Sequence, residues 1–125
     1  MGRYSIIIPV HNEIIHIPNL LTGLHPYYLE GHEILIVNDG STDGSTHLLD
    51  NCNFINHIYL SSNQGKGTAI KKGLLKANND KIIIFDGDME LKTTDINRLM
   101  ILNRKKNIFC LMGYRFYSLN PFKSA

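Results

Sequence analysis

The chain alternates short apolar runs with segments of helical periodicity, and this order is the feature that most restricts its fold. The apolar runs are rich in β-branched residues and are short, so they predict strands buried within a sheet. We predict five strands, at residues 5–10, 33–39, 57–60, 81–85 and 107–113. Strands that alternate with helices across short connections are typical of a three-layer α/β sandwich around a mostly parallel sheet.

The segments between the strands carry signals for helices. Pro18 suits the first turn of a helix that runs through residues 19–24. Ser45 or Thr46 suits the N-cap of a short helix over residues 47–51.

Two further helices are predicted later in the chain. Residues 68–78 carry an apolar stripe at helical spacing, and their lysines fall outside it. Thr94 suits the N-cap of a helix over residues 95–105. We therefore expect one α/β domain over residues 1–125.

Polar clusters follow the predicted strands at the point where each strand ends. Ligands of such sheets bind outside the carboxyl ends of the strands, so the five clusters are expected to face one cleft. The clusters are His11-Asn12-Glu13, Asp39-Gly40-Ser41, Gln64-Gly65-Lys66-Gly67, Asp86-Gly87-Asp88 and Gly113-Tyr114-Arg115.

The acidic cluster after the fourth strand predicts a cation site. Alternation along an extended chain places Asp86 and Asp88 on one side, with Cα atoms about 6.6 Å apart, and Gly87 leaves room there for a ligand. Carboxylates this close repel each other unless a cation lies between them, and oxygen ligands favour Mg²⁺ or Mn²⁺. Glu90 offers a third oxygen. The structural alternative is a solvated acidic turn.

The glycine-rich loop after the third strand predicts a diphosphate site. Gly65 and Gly67 allow backbone amides to converge, Lys66 offers a cation, and the following helix points its positive end at the same place. Lys71 either reaches a phosphate or ribose or faces solvent. The loop is not a P-loop, because the GxxxxGK[ST] spacing is absent, and no GxGxxG follows the first strand.

Asp39 and His11 have two interpretations each. The Asp39 carboxylate either accepts hydrogen bonds from a nucleobase or ribose, or caps the turn at residues 40–42. His11 either stacks on a base or only ends the strand. The other histidines share no metal-ligand spacing.

Composition excludes several other classes of protein. With 43% hydrophobic and 19% charged residues the chain is globular, and a net charge of +2 gives no support for nucleic-acid binding. No apolar run approaches the roughly 20 residues of a membrane helix, and no signal-peptide pattern is present. Cys52 and Cys110 lack metal or redox spacing and are expected to be reduced thiols in a cytosolic protein.

Four motifs in this order resemble the nucleotide-binding half of the family 2 glycosyltransferases of GT-A fold. The motifs are SIIIPVHNE, ILIVNDGSTDGS, NQGKGTAIKKG and FDGDMEL, and the resemblance runs from Ser5 to about Arg115. The segments FDGDMELKTTDINRLM and LMGYRF are most similar to the dolichyl- and polyprenyl-phosphate mannosyl- and glucosyltransferases.

The resemblance implies roles for single residues. The nucleotide-binding set would be Pro9, His11, Glu13, Asp39, Lys66, Lys71 and Asp86. Asp86 and Asp88 would form the DxD pair that binds Mg²⁺ or Mn²⁺, with Glu90 as a third ligand at the place where the lipid-phosphate enzymes carry a glutamine. Asp88 and Arg115 would act in catalysis, although Tyr114 replaces the usual serine before the arginine.

The implied reaction is a metal-assisted, inverting transfer from a GDP- or UDP-linked sugar to an acceptor, in polysaccharide or glycolipid biosynthesis. A phosphate acceptor such as polyprenyl phosphate is ionised at neutral pH and needs no general base. No carboxylate follows Asp95, which fits a phosphate acceptor and fits equally well a chain that stops early. We expect a cytoplasmic location, including the cytoplasmic face of a membrane.

Family members normally continue beyond the fifth strand with an acceptor-binding half. We therefore expect this chain to be the nucleotide-binding half only, as a fragment, a truncated reading frame or one piece of a two-chain enzyme. The alternative function is a catalytically incomplete nucleotide-sugar-binding module, for which a homo-oligomer or a partner chain supplies the acceptor site. A sugar-1-phosphate nucleotidylyltransferase is disfavoured, because its glycine-rich N-terminal motif is missing.

Overall fold

A computed structural model describes residues 2–87, 92–106, 110–112 and 115–117, with side chains described up to residue 101. The strands are β1 (Tyr4–Val10), β2 (Glu33–Asp39), β3 (Asn56–Leu60), β4 (Lys81–Ile84), β5 (Cys110–Met112) and β6 (Arg115–Tyr117). The helices are α1 (Ile17–Leu29), α2 (Ser45–Asp50), α3 (Lys66–Lys76) and α4 (Asp95–Lys106).

The strands form one sheet in the order β3-β2-β1-β4-β5-β6. Strands β1 to β5 are parallel, and β6 runs antiparallel to β5. The predicted mostly parallel α/β sandwich is thus confirmed, and the five predicted strands lie where the apolar runs indicated. Strand β6 was not predicted. The strand order reverses direction between β1 and β4, which is where open α/β sheets bind ligands.

Apolar side chains cover both faces of the sheet because alternate strand residues point to opposite sides. One core includes Ile6 and Ile8 of β1 together with side chains of α1, α2 and α4. The other includes Ile7 of β1 and packs against α3. These isoleucines have no exposed surface, and burying a side chain of this size contributes about 1.5–3 kcal/mol. The sheet between the two cores holds the strand ends in fixed positions.

Helix boundaries differ from the predictions at several places. Helix α1 begins at Ile17 and continues to Leu29, five residues beyond the predicted segment. Ser45 is the first residue of α2, and Gly44 precedes it in the left-handed region with φ 98°, so neither Ser45 nor Thr46 is the N-cap. Helix α3 begins at Lys66, two residues earlier than predicted. Pro18 lies in the first turn of α1 and Thr94 directly precedes α4, both as predicted.

Candidate functional site

A cavity of about 280 Å³ opens at the carboxyl edge of the sheet, between the ends of β1, β2 and β4 and the start of α3. Six side chains that the sequence singled out line it: Pro9, His11, Glu13, Asp39, Lys66 and Asp86. Val10, Asn63, Gly65 and Ala69 complete the lining. The structure therefore brings four of the five predicted polar clusters to one place.

Asp39 ties the loop before α3 to the end of β2. Its side chain is almost fully buried, with 4% of the residue exposed. One carboxylate oxygen accepts the backbone N–H of Gln64 at 2.7 Å, and the other accepts that of Gly65 at 2.9 Å. Two charge-assisted hydrogen bonds to backbone amides fix the loop relative to the sheet.

The turn after β2 is capped by a different residue than the one considered from the sequence. The side-chain oxygen of Asn38 accepts the backbone N–H of Ser41 at 3.1 Å. The Asn38 amide also donates to the hydroxyl of Thr46 at 2.7 Å. Asn38 is completely buried, so it holds the turn while the Asp39 carboxylate bonds to the loop at residues 64–65.

Gly40 lets the loop after β3 lie directly on the end of β2. Its φ of 66° is in the left-handed region, which favours glycine. A Cβ atom there would be 2.6 Å from the backbone of both Ser62 and Asn63. The close approach brings Asn63 to the wall of the cavity.

His11 lies in that wall with both ring nitrogens in contact. Nδ1 is 2.7 Å from the backbone oxygen of Asp39. Nε2 is 3.1 Å from the side-chain nitrogen of Asn63 and 3.3 Å from that of Asn12. The ring therefore bridges β1, β2 and the loop before α3.

Asn12 joins the loops that follow β1 and β2, and the sequence reading assigned it no role. It adopts φ 52°, a conformation that asparagine tolerates better than most residues. Its backbone N–H donates to the Ser41 hydroxyl at 2.9 Å, and its side-chain oxygen accepts the Thr42 N–H at 2.7 Å. The one available signal was an asparagine two residues after a strand, because asparagine is common in turns.

Asp43 makes a second link between the same two loops. Its carboxylate accepts the backbone N–H of Ile14 at 3.0 Å and the hydroxyl of Ser45 at 2.6 Å. Partial burial raises the pKa of Asp43, but the hydrogen bonds from Ser45 and Ile14 outweigh it, so the pKa is lowered overall. The ionised form of Asp43 is thus the one that holds the loops together.

Lys66 supplies the counter-charge for the acidic cluster. Its ammonium lies 2.7 Å and 2.8 Å from the two carboxylate oxygens of Asp86. The side chains are 54% and 42% exposed, so solvent reaches the pair and another cation or anion has access to either partner. Lys66 is also the first residue of α3, whose N-terminus favours anions at this side of the cavity.

The structure explains the glycine at position 87 differently from the prediction. A Cβ atom at Gly87 would be 2.5 Å from a methyl carbon of Val10 and 3.2 Å from the backbone oxygen of Pro9. The space beside Gly87 is therefore filled by β1. The prediction that it leaves room for a ligand is wrong, and close packing on the neighbouring strand explains the glycine.

Three predicted site residues fall wholly or partly outside the described part of the chain. Asp88 and Glu90 lie outside the described residues, and Arg115 is described only as the first backbone position of β6. Lys71 is exposed on α3 and is not part of the cavity lining. Within the described ranges, no three His, Cys, Asp or Glu side chains are grouped to hold a metal ion.

None of the described helices is both long and apolar enough to cross a bilayer.

Comparison with known proteins identifies related sequences and folds. A family model for glycosyl transferase family 2 matches residues 5–122. Among curated relatives, undecaprenyl-phosphate 4-deoxy-4-formamido-L-arabinose transferase of Yersinia pestis (strain Pestoides F) is 36% identical over 106 residues. That match covers 78% of this chain and 32% of the relative, so the chain spans about a third of the length of that protein.

Solved structures share the fold at lower identity. S. aureus TarS 1-349 in complex with UDP has a TM-score of 0.67 and 20% identity, covering 85% of this chain and 33% of that one. The mannosyltransferase PcManGT from Pyrobaculum calidifontis, in complex with GDP-Man and Mn²⁺, has a TM-score of 0.62 and 22% identity, covering 81% and 32%. The predicted GT-A architecture is confirmed.

Proposed function

Because the chain belongs to glycosyl transferase family 2, we propose that it binds a nucleotide-diphospho-sugar in the cavity at the carboxyl edge. The sugar would then be transferred to a polyprenyl phosphate, and the nucleoside diphosphate would leave. The observation that carries this proposal is the convergence of Asp39, Lys66 and Asp86 on that cavity. Asp39, which backbone amides hold in place, suits the nucleoside end of a nucleoside diphosphate. The accessible pair of Lys66 and Asp86 suits the diphosphate end.

The nucleoside would lie between His11 and the end of β2. The Asp39 carboxylate is buried at the cavity wall and holds residues 64 and 65, so it sets the shape of this end of the cavity. Pro9 and Glu13 complete the same wall. The volume of about 280 Å³ is at the small end of ligand pockets, so the cavity suits the nucleoside and the rest of the donor would extend outward.

The diphosphate would lie at the other end, against Lys66 and the N-terminus of α3. An ammonium and a helix N-terminus together favour the charge of a phosphate group. When the donor binds, Lys66 would exchange Asp86 for a phosphate oxygen. Lys71, one turn further along α3, would lie beyond this first contact.

The carboxylate of Asp86 fits a divalent cation. Both of its oxygens already hold an ammonium within 2.8 Å, and oxygen donors suit Mg²⁺ or Mn²⁺. Asp86 would hold the ion together with Asp88 and Glu90. Such an ion supplies positive charge that stabilises the leaving nucleoside diphosphate.

The acceptor would be a polyprenyl phosphate, as named for the Yersinia relative. Its phosphate oxygen would attack the anomeric carbon opposite the diphosphate, and the sugar–diphosphate bond would break with inversion. The phosphate is ionised at neutral pH, so it needs no general base. Arg115 is the residue of this chain that we assign to the acceptor phosphate or the leaving diphosphate. The lipid acceptor would place the reaction at the cytoplasmic face of a membrane.

Calorimetric titration of the chain with UDP and with GDP, each with and without Mn²⁺, tests the donor site. We expect one nucleotide to bind in a metal-dependent manner and Asp86→Asn to abolish the metal dependence. The outcome also decides between uridine and guanosine. The absence of binding by the folded chain would overturn the proposal.

Transfer is tested separately with a radiolabelled nucleotide-sugar and undecaprenyl phosphate in detergent. Product formation by the chain supports the complete reaction. Nucleotide binding without product would favour the alternative, a nucleotide-sugar-binding module for which another protein chain supplies the acceptor site.

A further inference from the structure

We propose that Asn63 and Asn12 fix His11 as the neutral imidazole protonated at Nδ1, and that Asn63 is thereby a positioning residue for the ring that faces the ligand. The tautomer follows from contacts within the chain. The importance of the ring for a nucleotide rests on the proposed function.

The partner of Nδ1 requires a proton on that nitrogen. Nδ1 of His11 lies 2.7 Å from the backbone oxygen of Asp39, and a carbonyl oxygen only accepts hydrogen bonds. A contact this short without a proton would set two lone pairs against each other. Nδ1 is therefore the donor.

The partners of Nε2 require that this nitrogen carries no proton. An asparagine amide can be turned by 180°, so its orientation must come from its other contacts. The oxygen of Asn12 accepts the Thr42 N–H at 2.7 Å. The oxygen of Asn63 accepts the Gly65 N–H at 3.1 Å, and the Asp39 carboxylate shares that N–H at 2.9 Å. Each oxygen is held by a backbone donor that cannot reverse.

Both side-chain NH₂ groups consequently point at His11. They lie 3.1 Å and 3.3 Å from Nε2, and an NH₂ group only donates. A proton on Nε2 would face two donors. The network is complete only with the neutral ring protonated at Nδ1.

Holding the ring at three points has a consequence for ligand contact. Both nitrogens are engaged, so His11 offers a ligand the face and C–H edge of its ring and makes no hydrogen bond to it. The charged groups that line the same cavity are Glu13, Asp39, Lys66 and Asp86, of both signs. Asp39 contacts the ring through its backbone oxygen.

Long-range proton–nitrogen NMR spectra of the ¹⁵N-labelled chain at pH 7.5 read the tautomer directly. The His11 ring is assigned by its disappearance in His11→Gln. We expect a protonated Nδ1 and an unprotonated Nε2. A ring protonated at Nε2, or a fast average of both tautomers, would overturn the inference whatever the chain binds.

The role of Asn63 is tested with Asn63→Asp, which replaces the donor facing Nε2 by a carboxylate. We expect the Nε2 nitrogen signal to move upfield at pH 7.5, because the partner facing it changes from a donor to an acceptor. The matched control is Asn51→Asp, since the Asn51 amide lies 3.3 Å from Nε2 of His47 on an exposed stretch away from the cavity. That variant should leave the His11 signals unchanged. An unchanged Nε2 signal in Asn63→Asp would refute a positioning role for Asn63.

Asn63→Ser removes the amide without adding charge, which keeps the test decisive where Asn63→Asp does not fold. We expect the Nε2 signal to shift while Nδ1 stays protonated, because the contact with the Asp39 carbonyl remains. An unchanged spectrum would again refute the role.

Adding UDP or GDP to the wild-type chain separates this inference from the proposed function. We expect the carbon-bound ring protons of His11 to shift while the tautomer is kept. If the tautomer is as proposed and neither nucleotide moves these signals, the positioning of the ring stands and the nucleotide site is wrong.

Discussion

The amino and carboxyl edges of the sheet both carry polar side chains, but they satisfy them differently. At the amino edge, the Glu33 carboxylate accepts the Ser5 hydroxyl at 2.7 Å and the side-chain amide of Asn78 at 2.6 Å. It also accepts the Asn78 N–H at 2.9 Å and the Asn56 amide at 3.2 Å. At the carboxyl edge, Asp86 has one half-exposed ammonium as its partner in the described contacts.

The amino edge is closed by its own side chains. The Ser5 hydroxyl also accepts the backbone N–H of Asn79 at 3.2 Å, so the connection from α3 to β4 is held against β1 and β2. Four donors on one carboxylate and further donors on the hydroxyl leave this network complete without any ligand. The carboxyl edge instead keeps an open cavity beside an exchangeable ion pair. We infer that one edge stabilises the fold and the other is reserved for a ligand.

The largest effect is expected for a residue that serves both roles. Asp39→Ala removes the acceptor of two backbone amides, each hydrogen bond to a charged group contributing about 1.5–3 kcal/mol. We expect the free energy of unfolding to fall by about 3 kcal/mol in urea titrations and nucleotide binding to be lost in calorimetry. Asp80→Ala, which removes an exposed aspartate between α3 and β4, serves as the control. Unaltered nucleotide affinity in Asp39→Ala would show that the loop held by Asp39 is not needed for nucleotide binding.

At the amino edge, Glu33→Ala should lower stability alone. The loss of an acceptor for four donors, partly replaced by water, should cost about 2 kcal/mol of unfolding free energy. Nucleotide affinity should stay within about twofold, equivalent to less than about 0.5 kcal/mol. The control is Glu30→Ala, because that side chain is 61% exposed. A large loss of affinity in Glu33→Ala would contradict the division between the edges.

Lys66→Met should change binding alone. An exposed ion pair contributes roughly 0–1 kcal/mol, so unfolding should shift by less than about 0.5 kcal/mol. Nucleotide affinity should fall about tenfold, or about 1.4 kcal/mol, while Mn²⁺ without nucleotide should bind more tightly because no ammonium competes for Asp86. Lys72→Met on the same helix is the control. Weaker Mn²⁺ binding would show that Lys66 does not compete with the cation.

The smallest effect is expected from pH at the amino edge. His32 is largely buried, with a side chain 11% exposed, and its Nδ1 accepts the Tyr4 N–H at 3.0 Å. Burial lowers the pKa of His32 below its usual 6.5, and nearby Arg3 also lowers it, against the opposing effect of Glu30. The unfolded chain therefore binds the proton first, so stability is full above pH 6.5 and falls as the pH drops through the lowered value.

Urea titrations between pH 7.5 and 5 measure this slope. His32→Asn should reduce the slope relative to the wild type, although the other histidines contribute to both. An identical slope in the two proteins would show that His32 titrates as it does in the unfolded chain.

The sequence predicted the fold well because the relevant signals are local. Apolar runs rich in isoleucine and valine gave the strands, and each strand end carried its own polar residues. Strand β6 has only three residues, Arg115–Tyr117, and pairs antiparallel to β5, so it offered no comparable apolar run. Cap positions were less predictable, as Gly44 and Ser45 show, because the choice depends on backbone φ values that follow from tertiary contacts.

The sequence predicted which residues line the cavity better than it predicted the hydrogen bonds that those residues make. The alternation of strands and helices placed His11, Asp39 and Asp86 at one edge, which requires only topology. The partners were hidden because they depend on how loops lie on one another. Asn63 reaches the cavity because its backbone lies close to Gly40. This contact cannot be predicted from the spacing of the residues in the sequence.

The strand order also bears on when the site comes into being. The wall made by Asp39 and Asn63 belongs to the first 65 or so residues of the chain, whereas Asp86 joins it only when β4 pairs with β1 in the register Tyr4↔Lys81. Contacts this distant in sequence form slowly, because a long loop must close first. A nucleotide that bridges the two walls would bind only after that closure, so its binding would stabilise the pairing of β4 with β1.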